Sequence, residues 1–346
     1  MLSISEERNI NFENFFNYAR NIGVYINKEL YVKKIDKNNN GIFINNNIDK
    51  NQTLISLPKN LAISKNTFKN FILEQRPDYP DLKFLENYFF SLPSFEYFKK
   101  NNIMFIDEEK KNKILNLFIE LSPTKRKIHY LFQSFRELND FEKYISIIFK
   151  TRSFNFENNQ YLCPIIDLTN YKYGAPRALS NNEGIYFKNI ELLKNSDQFF
   201  QGYENYSNIV SFFLTYNFIP DDFNTVSIPS NFFSLNIPQN NKVSIDEDYW
   251  HVKDGKFSNK KRIVFDNLKF PLEFKLEINK IIPNHSVVNK ITISILEMLR
   301  NEIKHKELIK FTNEEADEDI TRSFGEALKI NYLKIEELIN KLSINE

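Results

Sequence analysis

Apolar residues at Phe12, Phe15, Phe16, Ala19 and Ile22 recur at three- and four-residue steps, so residues 12–27 are expected to open on a packing helix ending near Gly23. Two short apolar runs, 30–35 and 41–44, flank the polar turn Asp36-Lys37-Asn38-Asn39-Asn40, and a third, 52–57, stops at Pro58. That alternation predicts hairpin-like strands. From 65 to about 140 the pattern becomes irregular and helical, broken at Pro77, Pro80, Pro93 and Pro123, with an apolar helical patch at 114–121. Phe141, Tyr144, Ile145, Ile148 and Phe149 then mark one face of an amphipathic helix, which sets Thr151 and Arg152 at its end. The following apolar segment, Leu162-Cys163-Pro164-Ile165-Ile166, is expected to run as a strand into the polar turn Asp167-Leu168-Thr169-Asn170-Tyr171. Beyond Pro220 and Pro229, short strand-like runs alternate with loops to about residue 283. Helical spacing then returns over 288–303 and again at Ala327, Leu328, Tyr332, Ile335, Leu338, Ile339 and Leu342. Thr312-Asn313-Glu314-Glu315 offers a capping box, and Asp317-Glu318-Asp319 suits a helix amino terminus.

Composition supports a globular chain: 42% hydrophobic and 15% aromatic residues can fill a large core, and 346 residues call for two or more packed units. A formal net charge of +1, with no basic stripe, argues against nucleic acid as the principal partner. The single cysteine, Cys163, rules out an internal disulfide and a cysteine-rich zinc cluster and fits a reducing compartment. His129, His251, His285 and His305 show no ligand spacing, so no metal site is expected. No phosphate-binding glycine loop is present. The amino terminus lacks a secretory pattern, and no apolar run is long enough to span a bilayer, so a soluble cytoplasmic or nuclear monomer is expected.

The polar residues gather where apolar elements end. Thr151-Arg152-Ser153-Phe154 follows the amphipathic helix; Pro164-Ile165-Ile166-Asp167-Leu168-Thr169-Asn170-Tyr171 closes the apolar run; Tyr203-Glu204-Asn205-Tyr206-Ser207-Asn208 leads to Tyr216-Asn217-Phe218. In order and spacing these segments resemble the second half of a SET domain of the Rubisco large-subunit lysine methyltransferase class. That class writes them Ser-Arg-x-Phe, Pro-x-x-Asp-x-x-Asn-His, Tyr-Gly-x-x-Ser-Asn and Tyr-Gly-Phe. Asn39-Asn40-Gly41-Ile42-Phe43 resembles its opening Gly-x-Gly loop, and the helical residues 65–140 stand where it carries an insertion. The chain departs at Asn39, Tyr171, Glu204 and Asn217, three of which replace glycines. Glycine is scarce throughout, 7 residues where an average chain would carry about 24. Asn tolerates a left-handed backbone better than other non-glycine residues, so Asn217 is expected to keep the glycine geometry.

The resemblance implies an α+β fold: a SET-domain β core of short strands with a helical insertion over residues 1–228, and an all-α substrate-binding domain over 229–346. It implies S-adenosylmethionine as the cofactor and a lysine of a protein as the methyl acceptor; some members of the class methylate histidine, and a degenerate member would be a binding scaffold. Tyr203 stands where the catalytic tyrosine is found. Asn38, Asn40, Arg152, Asn170, Tyr171, Tyr203 and Phe218 would hold the donor. Arg152, Asp167, Tyr186 and Tyr216 would shape the substrate site. Transfer from a sulfonium donor is an in-line displacement, in which positioning can contribute about 7–11 kcal/mol. It needs a neutral amine, which an apolar channel favours by disfavouring the ammonium form. A tyrosine hydroxyl, neutral near pH 7, can accept the polarised methyl C–H groups.

Overall fold

The computed structural model describes residues 10–35, 40–109, 135, 137–156, 159–172, 174–202, 209–220, 222–228, 234–236, 250–253, 256–259, 263–282, 284–305 and 319–344. By its contacts the chain divides into two compact units: Met1–Lys100 with Leu138–Glu204, and Asn101–Glu137 with Asn205–Glu346.

The first unit opens on α1, Phe12–Asn21, capped by the Asn11 side chain and stopped before Gly23, which takes a φ of 98°. Its stripe buries Phe15, Phe16 and Ala19, as the spacing predicts. Strands β1 (Tyr25–Ile26), β2 (Leu30–Lys34), β3 (Asn40–Ile44), β4 (Thr53–Pro58) and β5 (Ile63–Ser64) follow. The insertion supplies α2 (Lys65–Ile72), α3 (Leu82–Ser91) and α4 (Phe95–Asn101); the apolar patch at 114–121 lies outside the described residues. Helix α5, Asp140–Arg152, starts at a reciprocal Asn139–Glu142 capping box and delivers Arg152 at its last position. The remaining strands of the unit are β6 (Ser153–Phe156), β7 (Asn159–Leu162), β8 (Asn170–Tyr171), β9 (Leu179–Asn181), β10 (Gly184–Lys188) and β11 (Gln198–Gln201).

These strands form two four-stranded sheets, β1-β4-β10-β9 and β2-β3-β11-β8, with a third small sheet β5-β7-β6. Phe187 of β10 and Phe199 of β11, both buried, meet edge to face at 4.8 Å and join the interiors of the two larger sheets. Around them the helices pack through aromatics: Phe15 of α1 on Phe84 of α3, and Phe68 of α2 on Phe89 of α3 and Phe149 of α5.

One segment departs from the sequence expectation. The apolar run after Gln160 is a strand only to Leu162; Cys163, Ile165 and Ile166 are buried in a turn that leads to a single 3-10 turn, Ile166–Leu168. Pro164 has no N–H for a ladder, and Ile165 takes φ 72°, ψ −49°, a γ-turn conformation that no strand accommodates. A β-branched residue there is strained, and complete burial of its side chain helps hold it.

In the second unit, α6 (Ile209–Tyr216) precedes β12 (Thr225–Ile228), β13 (Ser234–Asn236), β14 (Trp250–Lys253), β15 (Lys256–Asn259) and β16 (Ile263–Asp266). β12 pairs with β16, and β13, β15 and β14 make a separate antiparallel sheet. Helices α7 (Leu272–Ile281), α8 (His285–His305) and α9 (Asp319–Ile344) complete the chain. The class is α+β as expected; the carboxy-terminal region is mixed up to Asp266 and helical from Leu272. The interior of α9 includes Phe324, Ala327, Leu328, Ile335 and Leu338, with Phe324 against Phe213 of α6. The expected capping box at 312–315 lies outside the described residues.

Candidate functional site

Strands β3, β11 and β8 bring the first part of the site together. β11 lies between the other two, antiparallel to β3, with Gln198 opposite Phe43, and parallel to β8, with Phe200 opposite Asn170 and Gln201 opposite Tyr171. Across this arrangement the Asn170 side chain donates from Nδ2 to the Asn40 carbonyl at 3.0 Å. Two residues 130 positions apart, each expected at the donor site, are thereby joined. Asn170 is half-buried, and among the described residues its Oδ1 accepts no hydrogen bond.

Two glycines make this packing possible. A Cβ on Gly41 would come within 2.6 Å of Gln198 Nε2, so its absence leaves room for the end of that side chain. A Cβ on Gly202 would collide with the backbone carbonyl of Ala175, while the Gly202 N–H donates to the Pro176 carbonyl at 2.8 Å. The Lys172 N–H donates to the Gln201 carbonyl at 3.1 Å. The chain therefore enters residue 203 from a strand anchored beside Asn170 and Tyr171. Tyr203 itself, Asn38, Asn39 and the segment 204–208 lie outside the described residues.

The second part is an interior charge network. Arg152, at the end of α5, donates from Nη1 to the Asp167 carbonyl at 3.2 Å and lies 3.5 Å from Asp167 Oδ2. Tyr88 of α3 donates its hydroxyl to the same Oδ2 at 2.6 Å. The Asp167 side chain is 1% exposed and that of Arg152 26%, so the arginine reaches outward while the carboxylate stays inside. Burial pushes the Asp167 carboxyl up, and the Arg152 guanidinium and the Tyr88 hydroxyl oppose that rise. Burial also lifts the Tyr88 and Cys163 groups well above their ordinary ranges, with the Asp167 charge adding to both. Asp167, expected at the substrate site, is thus an inner partner of Arg152. Asp167 Oδ1 is buried with no hydrogen-bond partner among the described residues.

Tyr186 stands apart from Asn170 in topology. It lies on β10 opposite Ser56, in the other large sheet, half-buried beneath the Lys188 ammonium, which is 5.6 Å from its ring centroid. Tyr216 and Phe218 belong to the second unit. Asn217 between them takes φ 62° and donates its N–H to Phe213, closing α6 with the left-handed geometry expected of a glycine. Its side chain donates to the Asn101 carbonyl and accepts from the Ile103 N–H at 3.4 Å. This turn folds both aromatics onto Phe212, Tyr216 at 4.8 Å and Phe218 at 5.1 Å, and leaves Phe218 40% exposed.

Sequence reasoning missed Tyr88, which sits in a stretch with no motif of its own. Its signal was only the stripe Phe84, Leu85, Tyr88 and Phe89, which puts a tyrosine on a buried face where its hydroxyl must find a partner. Among the described residues no cluster of three or more His, Cys, Asp or Glu could hold a metal, and no helix is long and apolar enough to cross a membrane.

No family model and no curated protein matches the chain. Solved structures do. The SET domain of LSMT bound to lysine and AdoHcy aligns over 96% of this chain and 90% of its own, at TM-score 0.51 and 13% identity. Rubisco LSMT bound to AdoMet aligns over 97% and 92%, at 0.50 and 14%. Rubisco LSMT bound to sinefungin and monomethyllysine aligns over 96% and 92%, at 0.50 and 13%. The chain has the SET fold of these structures.

Proposed function

We propose that this protein transfers a methyl group from S-adenosylmethionine to the side-chain amine of a lysine in a protein substrate. The observation that carries the reading is the Asn170 to Asn40 hydrogen bond. It joins, within a SET fold, two positions that the family resemblance assigns to the donor through two separate motifs. Solved relatives of this fold hold AdoMet or AdoHcy, and some hold lysine or monomethyllysine. The Asn170 Oδ1, which accepts no hydrogen bond among the described residues, would suit an exocyclic amino group of the donor's adenine, and by the resemblance Asn38, Asn40 and Tyr171 would also contact the donor. Arg152, half-exposed and fixed from behind by Asp167, would hold the donor's carboxylate and border the lysine.

When bound, the donor supplies an electrophilic methyl on a positively charged sulfur. The protein's part is to present a neutral amine in line with it and to keep water out. Tyr203 would accept the polarised methyl C–H groups at its hydroxyl oxygen. By their motif positions Tyr186, in the first unit, and Tyr216 and Phe218, in the second, would each offer aromatic surface of the kind that packs a lysine stem and disfavours its ammonium form. Residues 1–228 would form the catalytic core and residues 229–346 the surface that holds the protein substrate.

Calorimetry with the donor and with its demethylated product tests the reading. Saturable binding is expected, weakened about tenfold or more by Asn170→Ala, which removes both a ligand contact and the tie to Asn40. Tyr203→Phe should retain donor binding and lose transfer, because it removes a group acting mainly in the transition state. Absence of binding at millimolar donor would refute the enzyme. Mass spectrometry of a methylated lysate then separates the acceptors: label on histidine alone overturns the lysine assignment. Donor binding without transfer to any protein, unchanged by Tyr203→Phe, identifies a scaffold.

A further inference from the structure

We infer that Tyr88, carried into the core by insertion helix α3, is a positioning residue that holds the Asp167 carboxylate by hydrogen bond and so fixes Arg152 for the donor; the inference rests on the methyltransferase reading. Tyr88 is fully buried, and its hydroxyl reaches a carboxylate 79 positions away at 2.6 Å. Other tyrosine hydroxyls bond acceptors that serve the local structure, as Tyr18 does with Asp81, the cap of α3, at 2.8 Å. Tyr79 bonds the Leu61 carbonyl at 2.7 Å, and Tyr144 that of Pro93 at 3.1 Å. Tyr88 instead donates to the oxygen that lies 3.5 Å from Arg152 Nη1.

The geometry assigns a task to that bond. Arg152 from α5, Tyr88 from α3 and the backbone N–H of Asp167 act on its carboxylate, and Cys163 from the preceding turn feels its charge. Arg152, Tyr88 and the backbone N–H favour its charge, burial works against it, and Cys163, held neutral by burial, offers no support. A neutral Asp167 would give up its charge-assisted contact with the Arg152 guanidinium and set that side chain less firmly, although the bond to the Asp167 carbonyl would remain. The strained Ile165 turn sets Asp167 at the start of this network, and the Arg152 bond to the Asp167 carbonyl fixes the backbone in the same register. The insertion between the two halves of the core therefore contributes to the site through one phenol.

The effect has a sign. Removing the phenol takes away a stabiliser of the carboxylate, so Asp167 would take up its proton at higher pH. Donor affinity, which needs the charged pair, would fail on the acid side sooner. Donor affinity is to be measured calorimetrically through the acid range, beside carboxyl-carbon NMR titration of Asp167 assigned with Asp167→Asn. Tyr88→Phe is expected to raise the acid limb of affinity and the Asp167 midpoint together by about 1–2 pH units, with about a 10- to 100-fold loss of affinity inside that window. In an Asp167→Asn background, Tyr88→Phe should add no further shift. Fluorination of the Tyr88 ring beside its hydroxyl strengthens the donor at nearly constant volume and should move both midpoints to lower pH, which keeps the test open if Tyr88→Phe does not fold. A Tyr88→Phe or ring-fluorinated protein that differs in melting temperature but keeps the wild-type acid limb overturns the inference alone. A wild type that binds no donor overturns the methyltransferase reading and this inference with it.

Discussion

Asn217 offers the sharpest test of how this glycine-poor chain builds a SET fold. Its φ of 62° is the conformation for which glycine is the usual choice, and Asn accepts it because its short amide bonds locally. Here the amide donates to the Asn101 carbonyl and accepts, at a long 3.4 Å, from the Ile103 N–H. Asn217→Gly keeps the backbone and loses these contacts, of which the first carries most of the energy, plus some unfolded-state entropy; a cost of about 1–2 kcal/mol follows. Asn217→Ala loses the same contacts and adds about 1–2 kcal/mol for a Cβ forced into the left-handed region, for a total of about 2–4 kcal/mol. The order is therefore wild type, then Gly, then Ala, with steps of about 2–4 °C per kcal/mol for a unit of 150–250 residues. Denaturant and thermal unfolding of the three proteins would resolve it. An Ala variant as stable as the Gly variant, or more so, would refute the argument that Asn217 is held by its backbone geometry.

Other perturbations bear on the first unit. Gly202→Ala should destabilise the protein and abolish donor binding, because the new Cβ meets the Ala175 backbone carbonyl, which has no rotamer to change; unfolding and calorimetry check both. Asn139→Ala removes half of the capping box of α5 and should cost about 1 kcal/mol in stability while leaving donor affinity little changed. The Lys150 ammonium, half-buried on α5, is lowered by burial to about 7. Its folded form therefore binds fewer protons than the unfolded chain between about 7 and the ordinary 10.5, so stability should rise with pH across that window and its contribution be lost as pH falls through about 7. Lys150→Met should flatten this dependence in pH-resolved unfolding.

Much of the fold was legible because its elements announce themselves locally. The stripe of α1, the strands on either side of the turn at 36–40 and the helix that ends at Arg152 all appear where the apolar spacing puts them. The turn at Ile165 was not legible. Five apolar residues in a row satisfy the pattern of a buried strand, and periodicity does not reveal that Pro164 blocks the ladder and that Ile165 adopts a positive φ. Burial was read correctly there and conformation was not, since the two are set by different parts of the residue.

The site divides along the same line. Asn170 and Asn40 could be named from the sequence because each sits at a fixed offset within a short motif, and their hydrogen bond then follows from the sheet that joins them. Asp167 could be named too, yet its inward orientation could not, because a motif records which residue is present and not which way it faces. Tyr88 belongs to no motif, and its partner is 79 residues away; only the packing of α3 supplies the pairing. The position of the insertion that presents a hydroxyl to Asp167 is set by chemistry rather than by the apolar pattern. A phenol at that point both fills the core and answers a buried carboxylate. Phenylalanine does only the first, and a shorter hydroxyl residue would reach neither the cavity's volume nor Oδ2. The non-local contacts, more than the motifs, decide how the Arg152 side chain is held where donor and substrate would meet.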